Sequence, residues 1–266
     1  LIEKQKKTTM ITITSPNNPL IKHVKQLHAK KGRIAHHQFI AEGKRVCTTL
    51  LLSNVYPDFL FITEDFHKNN ILKNGKEWAE YHVEQERIYL VTDELLRSIS
   101  CSESPSGVLG VFPIPGEPLD PLSPGIVLAQ IADPGNMGTL IRSAAAMKVE
   151  TVVVVEGCDP WSPKVVQASS GTIAQVQLYT LTWQELLIMK RSIALTAMVV
   201  SGGQNPSKFA LRDTLLVVGN EAHGLPDEWH AQCEFAITLP MPGGTESLNA
   251  AIAGSIALYL GWSIPN

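Results

Sequence analysis

Six apolar runs in the second half of the chain limit what it can fold into. They are "GIVLAQIA" from 125, "TVVVVE" from 151, "QVQLYTL" from 175, "SIALTAMVV" from 192, "TLLVVGNE" from 214 and "FAITLP" from 235. Each is continuous rather than alternating, so a strand built from it is buried on both faces. The stretches between them carry helical spacing, and such alternation gives an α/β fold with a mostly parallel sheet covered by helices. The last apolar stretch, Leu248 to Trp262, contains Asn249 and Ser255 and falls short of the roughly 20 residues of a membrane span. It is read as a buried helix, and no membrane partner is expected.

The first half is organised differently. From Asn17 to Leu52 the spacing of Leu20, Ile21, Val24 and Leu27 predicts helix, and "FIAEGKRVCTTLL" is read as helix resuming. "FLFIT" near 59 and "RIYLVT" near 87 predict short strands, which gives a small α/β domain over 10–112. "PIPGEPLDPLSPG" then places five prolines and two glycines in thirteen residues, a composition that supports neither a helix nor a central strand. Residues 113–124 are the expected linker, and 125–266 the second domain. The first nine residues, "LIEKQKKTT", are set aside as an upstream extension.

Net charge is −3, unevenly spread: residues 1–50 hold ten Lys or Arg against two Glu, a balance of +8, so the other 216 carry −11. Such asymmetry suggests that the N-terminal part meets a polyanion, the plain alternative being a solvated basic helix face. The four cysteines, Cys47, Cys101, Cys158 and Cys233, lie far apart and form no C-x-x-C pair. No metal site or disulfide framework is expected, and a cytoplasmic setting fits.

In a parallel sheet, ligands collect at the carboxyl ends of the strands, so the loops just after them deserve scrutiny. In "IADPGNMGTLIRSAAAM" (131–147) a strand ends at Ile131–Ala132 and the chain turns into a helix that Asn136 is expected to cap. Gly138 lets a neighbour approach the first turn. Arg142 sits two turns in, on the flank of the apolar stripe. A cation there opposes the helix dipole, so it points to an anion, although a surface Arg is the plain reading of this loop alone.

In "LLVVGNEAHGLPDEW" (215–229) a strand runs into Gly219-Asn220-Glu221 and then Gly224-Leu225-Pro226. Glycine at a strand end permits close approach by a ligand, and Glu221 accepts from an N–H or hydroxyl. His223 is read as a local hydrogen bonder rather than a base. In "MPGGTESLNAAIAGSIALYL" (241–260), Ser247 or Thr245 is expected to cap the last helix, with Leu248 and Asn249 in its first turn. The small residues that follow suit tight packing, including against a second subunit.

Together the three segments resemble the signature motifs of the SpoU (TrmH) family of RNA ribose 2′-O-methyltransferases, in the SPOUT superfamily. The carriers are Asn136, Gly138 and Arg142; Gly219, Asn220, Glu221, Gly224 and Leu225; and Leu239-Pro240-Met241 with Ser247-Leu248-Asn249. The match covers 125–266. "SPKVVQASSGTIAQVQLY" (162–179) is also family-like, with Gln167 where the family usually has Arg. "SPNNPLIKHVKQLHAKKGRIAHHQFIAEGKRV" and "SPSGVLGVF" resemble the ribosomal-protein-like substrate-binding domain of longer members.

The resemblance implies a deep C-terminal trefoil knot, S-adenosylmethionine as cofactor, and a homodimer through the catalytic domain. It implies cofactor contacts at Gly219, Asn220, Gly224, Leu239, Met241, Ser247 and Leu248, with the loop after "LTAMVV" closing over. Arg142 becomes the catalytic residue, as base or as phosphate ligand. A guanidinium with pKa above about 12 is a poor base, which favours phosphate binding. Asn136, Ser247 and Asn249 would position the ribose and Glu221 support the loops. Lys25, Lys30, Lys31 and Arg33, with Arg142, are the expected RNA contacts. The expected substrate is structured RNA, 23S rRNA before tRNA.

Two rivals remain at this stage. A base methyltransferase of the same superfamily is disfavoured by Arg142 and the S-L-N motif, and a non-catalytic RNA-binding or ribosome-assembly factor by the intact motifs. No G-x-G-x-x-G supports a dinucleotide-dependent oxidoreductase.

Overall fold

The structure, a computed structural model, describes residues 10–71, 87–244 and 246–263. The expected extension 1–9 and the candidate cap Thr245 lie outside the described residues. The chain divides into two compact units, one of residues 1–115 with Trp161–Pro163, the other of 116–160 and 164–266.

In the N-terminal unit, β1 (Ile11–Ile13), β2 (Gln38–Glu42), β3 (Phe59–Ile62), β4 (Ile88–Val91) and β5 (Val108–Pro113) form a mixed sheet of order β1-β4-β3-β5-β2. Helix α1 (Pro19–Leu27) starts at Pro19, after Asn18 accepts from Leu20 N at 2.9 Å. Ile21, Val24 and Leu27 then recur every third residue and bury against Ile40, Phe61 and Leu109, beside Leu95, Leu96 and Ile99 of α4 (Asp93–Ile99). Phe39, Leu60 and Phe112 are also fully buried. Neighbours on a strand point to opposite faces, so these three line the other side of the sheet. Helix α3 (Lys44–Leu52) packs onto β2 and β5 and buries Val46, Cys47, Leu50 and Leu51.

This corrects the reading of Asn17–Leu52 as helix throughout. Helix α2 (Lys30–His36) ends where His37 turns left-handed at φ 50°, and Gln38–Glu42 is a strand paired antiparallel with β5. Phe39, Ile40 and Ala41 are buried in succession, which a strand covered on both faces achieves.

Arg33 also departs from expectation. It is 4% exposed, and its guanidinium donates to Leu27 O at 2.7 Å and His28 O at 2.8 Å. Those carbonyls end α1, where a helix leaves acceptors unsatisfied and favours a cation. Arg33 is therefore built into the fold and is not a surface RNA contact. Replacing it with Met strands two acceptors, and the expected loss is about 1–3 kcal/mol of stability, measured by urea unfolding.

In the second unit, β6 (Gly125–Ala129), β7 (Thr151–Val155), β8 (Gln177–Leu181), β9 (Ala194–Met198), β10 (Thr214–Val218) and β11 (Phe235–Ile237) form an all-parallel sheet of order β11-β9-β10-β6-β7-β8. All five residues of β6, β7 and β10 are buried, as continuous apolar runs require. One face packs Val127, Val153, Leu195, Leu215 and Val217 with Trp183 and Leu186 of α7 (Trp183–Met189). Beyond the short α8 (Asp227–His230), helix α9 (Ala250–Trp262) packs on α5 (Pro134–Ala146), and Ser143 and Ser255 share a 2.7 Å hydrogen bond. Among the described residues no helix is long and apolar enough to cross a membrane.

The chain runs outward from β6 through β7 to β8, then returns to the far side with β9, β10 and β11. The order reverses at the β10–β6 boundary, and a crevice at the carboxyl ends of strands is where such sheets bind ligands.

Candidate active site

A pocket of about 330 Å³ opens at those carboxyl ends. Its walls are Met198 at the end of β9 with Val199 and Val200 after it, residues 218–224 at the end of β10, Leu239 and Met241 after β11, and Ser247, Leu248, Ala250 and Ala253 where α9 begins. The volume lies in the range of about 300–1,000 Å³ usual for small-molecule sites. Of the predicted cofactor residues, Gly219, Asn220, Gly224, Leu239, Met241, Ser247 and Leu248 all line it. Val218, Ala250 and Ala253 were missed, because small apolar residues beside a motif carry no signal of their own.

The turn after β10 is held from inside and outside. Asn220 and Gly224 exchange backbone hydrogen bonds of 3.0 and 2.9 Å, with Gly224 at φ 68°. The Asn220 side chain accepts from Ala222 N and His223 N and donates to Gln130 O at 2.9 Å. His223 makes its turn contact through its backbone N–H. Gln130, left-handed at φ 56°, ends β6 at Ala129, two residues before the expected end. That conformation belongs to no strand.

Glu221 joins the turn to the loop after β6. Its carboxylate accepts from Ala132 N and Asp133 N, each at 3.2 Å, and from Asn136 Nδ2 at 2.9 Å. Asn136 Oδ1 in turn accepts from Asn249 Nδ2 at 3.0 Å, and Asn249 Oδ1 accepts from Ala251 N and Ile252 N. One residue from each motif thus forms a continuous chain, Glu221 to Asn136 to Asn249, ending on the first turn of α9.

Two capping expectations are corrected. Asp133, not Asn136, caps α5, accepting from Asn136 N at 2.8 Å with Pro134 in the first turn. Asp before Pro is a legible helix start. Asn249, not Ser247, caps α9, so Ser247, Leu248 and Asn249 precede the helix rather than entering it. Gly138 does admit a neighbour: a Cβ there would lie 2.7 Å from Val165 O and 2.8 Å from Ser169 N, the backbone of and just after α6 (Pro163–Ala168).

Burial raises the Glu221 carboxyl, but hydrogen bonds from the Asn136 side chain and nearby backbone N–H groups outweigh it and hold the group below its ordinary value. A depressed carboxylate adds stability that is present above the unfolded-state value, about 4.3 for Glu. That stability is lost as pH falls through the lower folded value. The wild type is expected to lose thermal stability across that acid window, and Glu221→Gln to be less stable at neutral pH with a flatter acid limb. Equal slopes in melting curves across that window would contradict this.

Arg142 lies on α5, exposed and outside the pocket lining, and among the described residues it forms no hydrogen bond or ion pair. Gln167 is exposed on α6. In the N-terminal unit, Lys25, Lys30 and Lys31 are exposed, with Lys22 beside them. Among the described residues no cluster of His, Cys, Asp and Glu is arranged to hold a metal.

Comparison with known proteins adds the following. The profile of the SpoU rRNA Methylase family matches residues 124–259, and that of the MRM3-like substrate binding domain residues 18–110. An uncharacterized tRNA/rRNA methyltransferase of Synechocystis is 31% identical over 93% of this chain and 92% of its own. The 23S rRNA (guanosine(2553)-2′-O)-methyltransferase of Bacillus subtilis is 23% identical over 94% of this chain and 98% of its own. The crystal structure of an AdoMet-bound rRNA methyltransferase from Sinorhizobium meliloti shares the fold with TM-score 0.80, at 24% identity over 95% of this chain and 97% of its own.

Proposed function

On the premise that the chain belongs to the SpoU rRNA methylase family, we propose that it transfers a methyl group from S-adenosylmethionine to a ribose 2′-hydroxyl of ribosomal RNA. The observation that carries this is the Glu221–Asn136–Asn249 chain, which ties the three motif loops together around one pocket. The Bacillus subtilis relative is named for that reaction on 23S rRNA.

The pocket suits the cofactor. Backbone turns at 219–224 offer N–H and C=O groups, and Leu239, Val200 and Leu248 offer apolar faces, the mixture an adenosyl group needs. S-adenosylmethionine, when bound, supplies an electrophilic methyl group. The chain's own task is to hold a 2′-hydroxyl in line and ease the loss of its proton. Arg142 binds the adjacent phosphate and stabilises the charge that develops on the oxygen. Asn136, Ser247 and Asn249 position the ribose, while Glu221 and Asn220 keep the loops in register. The deep knot implied by the resemblance belongs to this reading, as does a cytoplasmic setting.

The N-terminal unit, over 10–112, binds the RNA. Its exposed Lys22, Lys25, Lys30 and Lys31 supply phosphate contacts, a contribution that weakens steeply with salt.

A homodimer completes the reading. Ile252, Ile256 and Tyr259 are 39–60% exposed and recur every three or four residues, which makes one apolar face along α9, with exposed Leu248 just before the helix. Arg142 lies outside the pocket lining, and in this reading a second copy on the α9 face closes the site. Ile256→Glu is expected to yield a monomer by light scattering and to lose most turnover. An unchanged dimer would show that α9 is not the interface.

The direct test of the reaction is incubation of the chain with methyl-labelled S-adenosylmethionine and ribosomal RNA, followed by nucleoside analysis. A 2′-O-methyl nucleoside is expected. Label in a base, or none, would overturn the proposal.

A further inference from the structure

Cys101 and His28 lie within hydrogen-bond distance of each other, and neither lines the pocket. They are 73 residues apart in sequence, within the N-terminal unit, and Cys101 Sγ lies 3.2 Å from His28 Nδ1. On the other side of the ring, Nε2 is 2.8 Å from Ile99 O. A carbonyl oxygen only accepts, so Nε2 carries a proton, and in that tautomer of the uncharged ring the Nδ1 lone pair faces the thiol. A nucleophile within reach of a base that a third group orients is the arrangement that activates cysteine.

The loop is pinned and open. Glu42 accepts from Cys101 N at 3.1 Å and from Ser100 Oγ at 2.5 Å, while Ser100 Oγ accepts from Ser102 N at 2.8 Å. Cys101 is exposed, so a small electrophile reaches it. The other three cysteines contrast with it. Burial pushes Cys47 and Cys233 up to about 12 and Cys158 up to about 11, so all three stay as thiols near neutrality.

We propose that Cys101, with His28 as its base, is a reactive thiol and a modification site for small peroxides. His28 Nδ1 takes the thiol proton, and the sulfur attacks one oxygen of hydrogen peroxide. The O–O bond breaks, and the departing hydroxide takes the proton back from His28 as water. Sulfur is oxidised by two electrons to sulfenic acid, and the peroxide is reduced. Glu42, the last residue of β2, faces this loop and disfavours the thiolate, so the activation rests on His28.

The test is site-resolved mass spectrometry of the full chain, alkylated with limiting iodoacetamide across a pH series, with dimedone trapping after hydrogen peroxide. Cys101 is expected to be labelled first and to carry the sulfenic acid. Its alkylation midpoint should fall clearly below the ordinary thiol value of about 8.5. His28→Gln should slow Cys101 alkylation at neutral pH by about tenfold or more and move the midpoint to about 8.5 or above. A wild-type midpoint at the ordinary value, or faster labelling of another cysteine, would overturn the proposal, and neither result depends on the variant folding.

Discussion

Arg142→Ala is expected to bind S-adenosylmethionine as the wild type does and to lose turnover by about 10²–10³-fold, the usual effect of deleting one group that stabilises transition-state charge. The side chain lies outside the pocket lining and has no hydrogen-bond or ion-pair partner among the described residues. Removing an exposed side chain away from such features changes stability by no more than about 0.5 kcal/mol, so the melting temperature should hold. Arg142→Lys should recover little, because an ammonium does not reproduce the planar fork that grips a phosphate. Single-turnover rates with RNA, beside cofactor titration, read the two effects separately. Near-full turnover in the Ala variant would exclude Arg142 both as phosphate ligand and as base, whereas near-full turnover in the Lys variant would show that a point charge suffices.

Gly219→Ala is expected to do the reverse and strike cofactor affinity first. A Cβ at 219 would lie 2.6 Å from Gly224 C, 2.7 Å from Leu225 N and 2.8 Å from Gly224 O. All three are backbone atoms, so the turn has to open, and overpacking of this kind costs about 1–3 kcal/mol. The same turn walls the pocket, and about one to two orders of magnitude in cofactor affinity should go with it, since each 1.4 kcal/mol is about tenfold. Gly243→Ala is the control, because nothing lies within 4 Å of a Cβ there. Calorimetric titration of both variants checks the pair, and equal affinities would mean that the 219–224 turn does not shape the cofactor site.

The parallel sheet was legible because its strands are buried on both faces, and burial writes itself as uninterrupted Val, Ile and Leu. The β2 strand was not, since one left-handed residue, His37, separates it from a helix and its apolar run is short. Arg33 reads as surface charge because its partners, the carbonyls of Leu27 and His28, are backbone atoms with no sequence identity.

At the site, the motif residues were legible as three separate loops. Which residue caps α9 was not, because Ser247 and Asn249 are both good cap residues. The choice falls to Asn249, whose Oδ1 takes two N–H groups of α9 while its Nδ2 reaches Asn136 across 113 positions of sequence. A bond of that span is set by tertiary packing, which no local pattern encodes.

The central claim, ribose methylation of ribosomal RNA, is tested most directly by mapping 2′-O-methyl groups at nucleotide resolution in total RNA. The cells would lack this gene, with wild type or Arg142→Ala returned to them. The expected result is one ribosomal RNA site lost without the gene, restored by the wild type and not by the variant. An unchanged ribose-methylation map would contradict the claim and leave an RNA-binding protein on a methyltransferase fold.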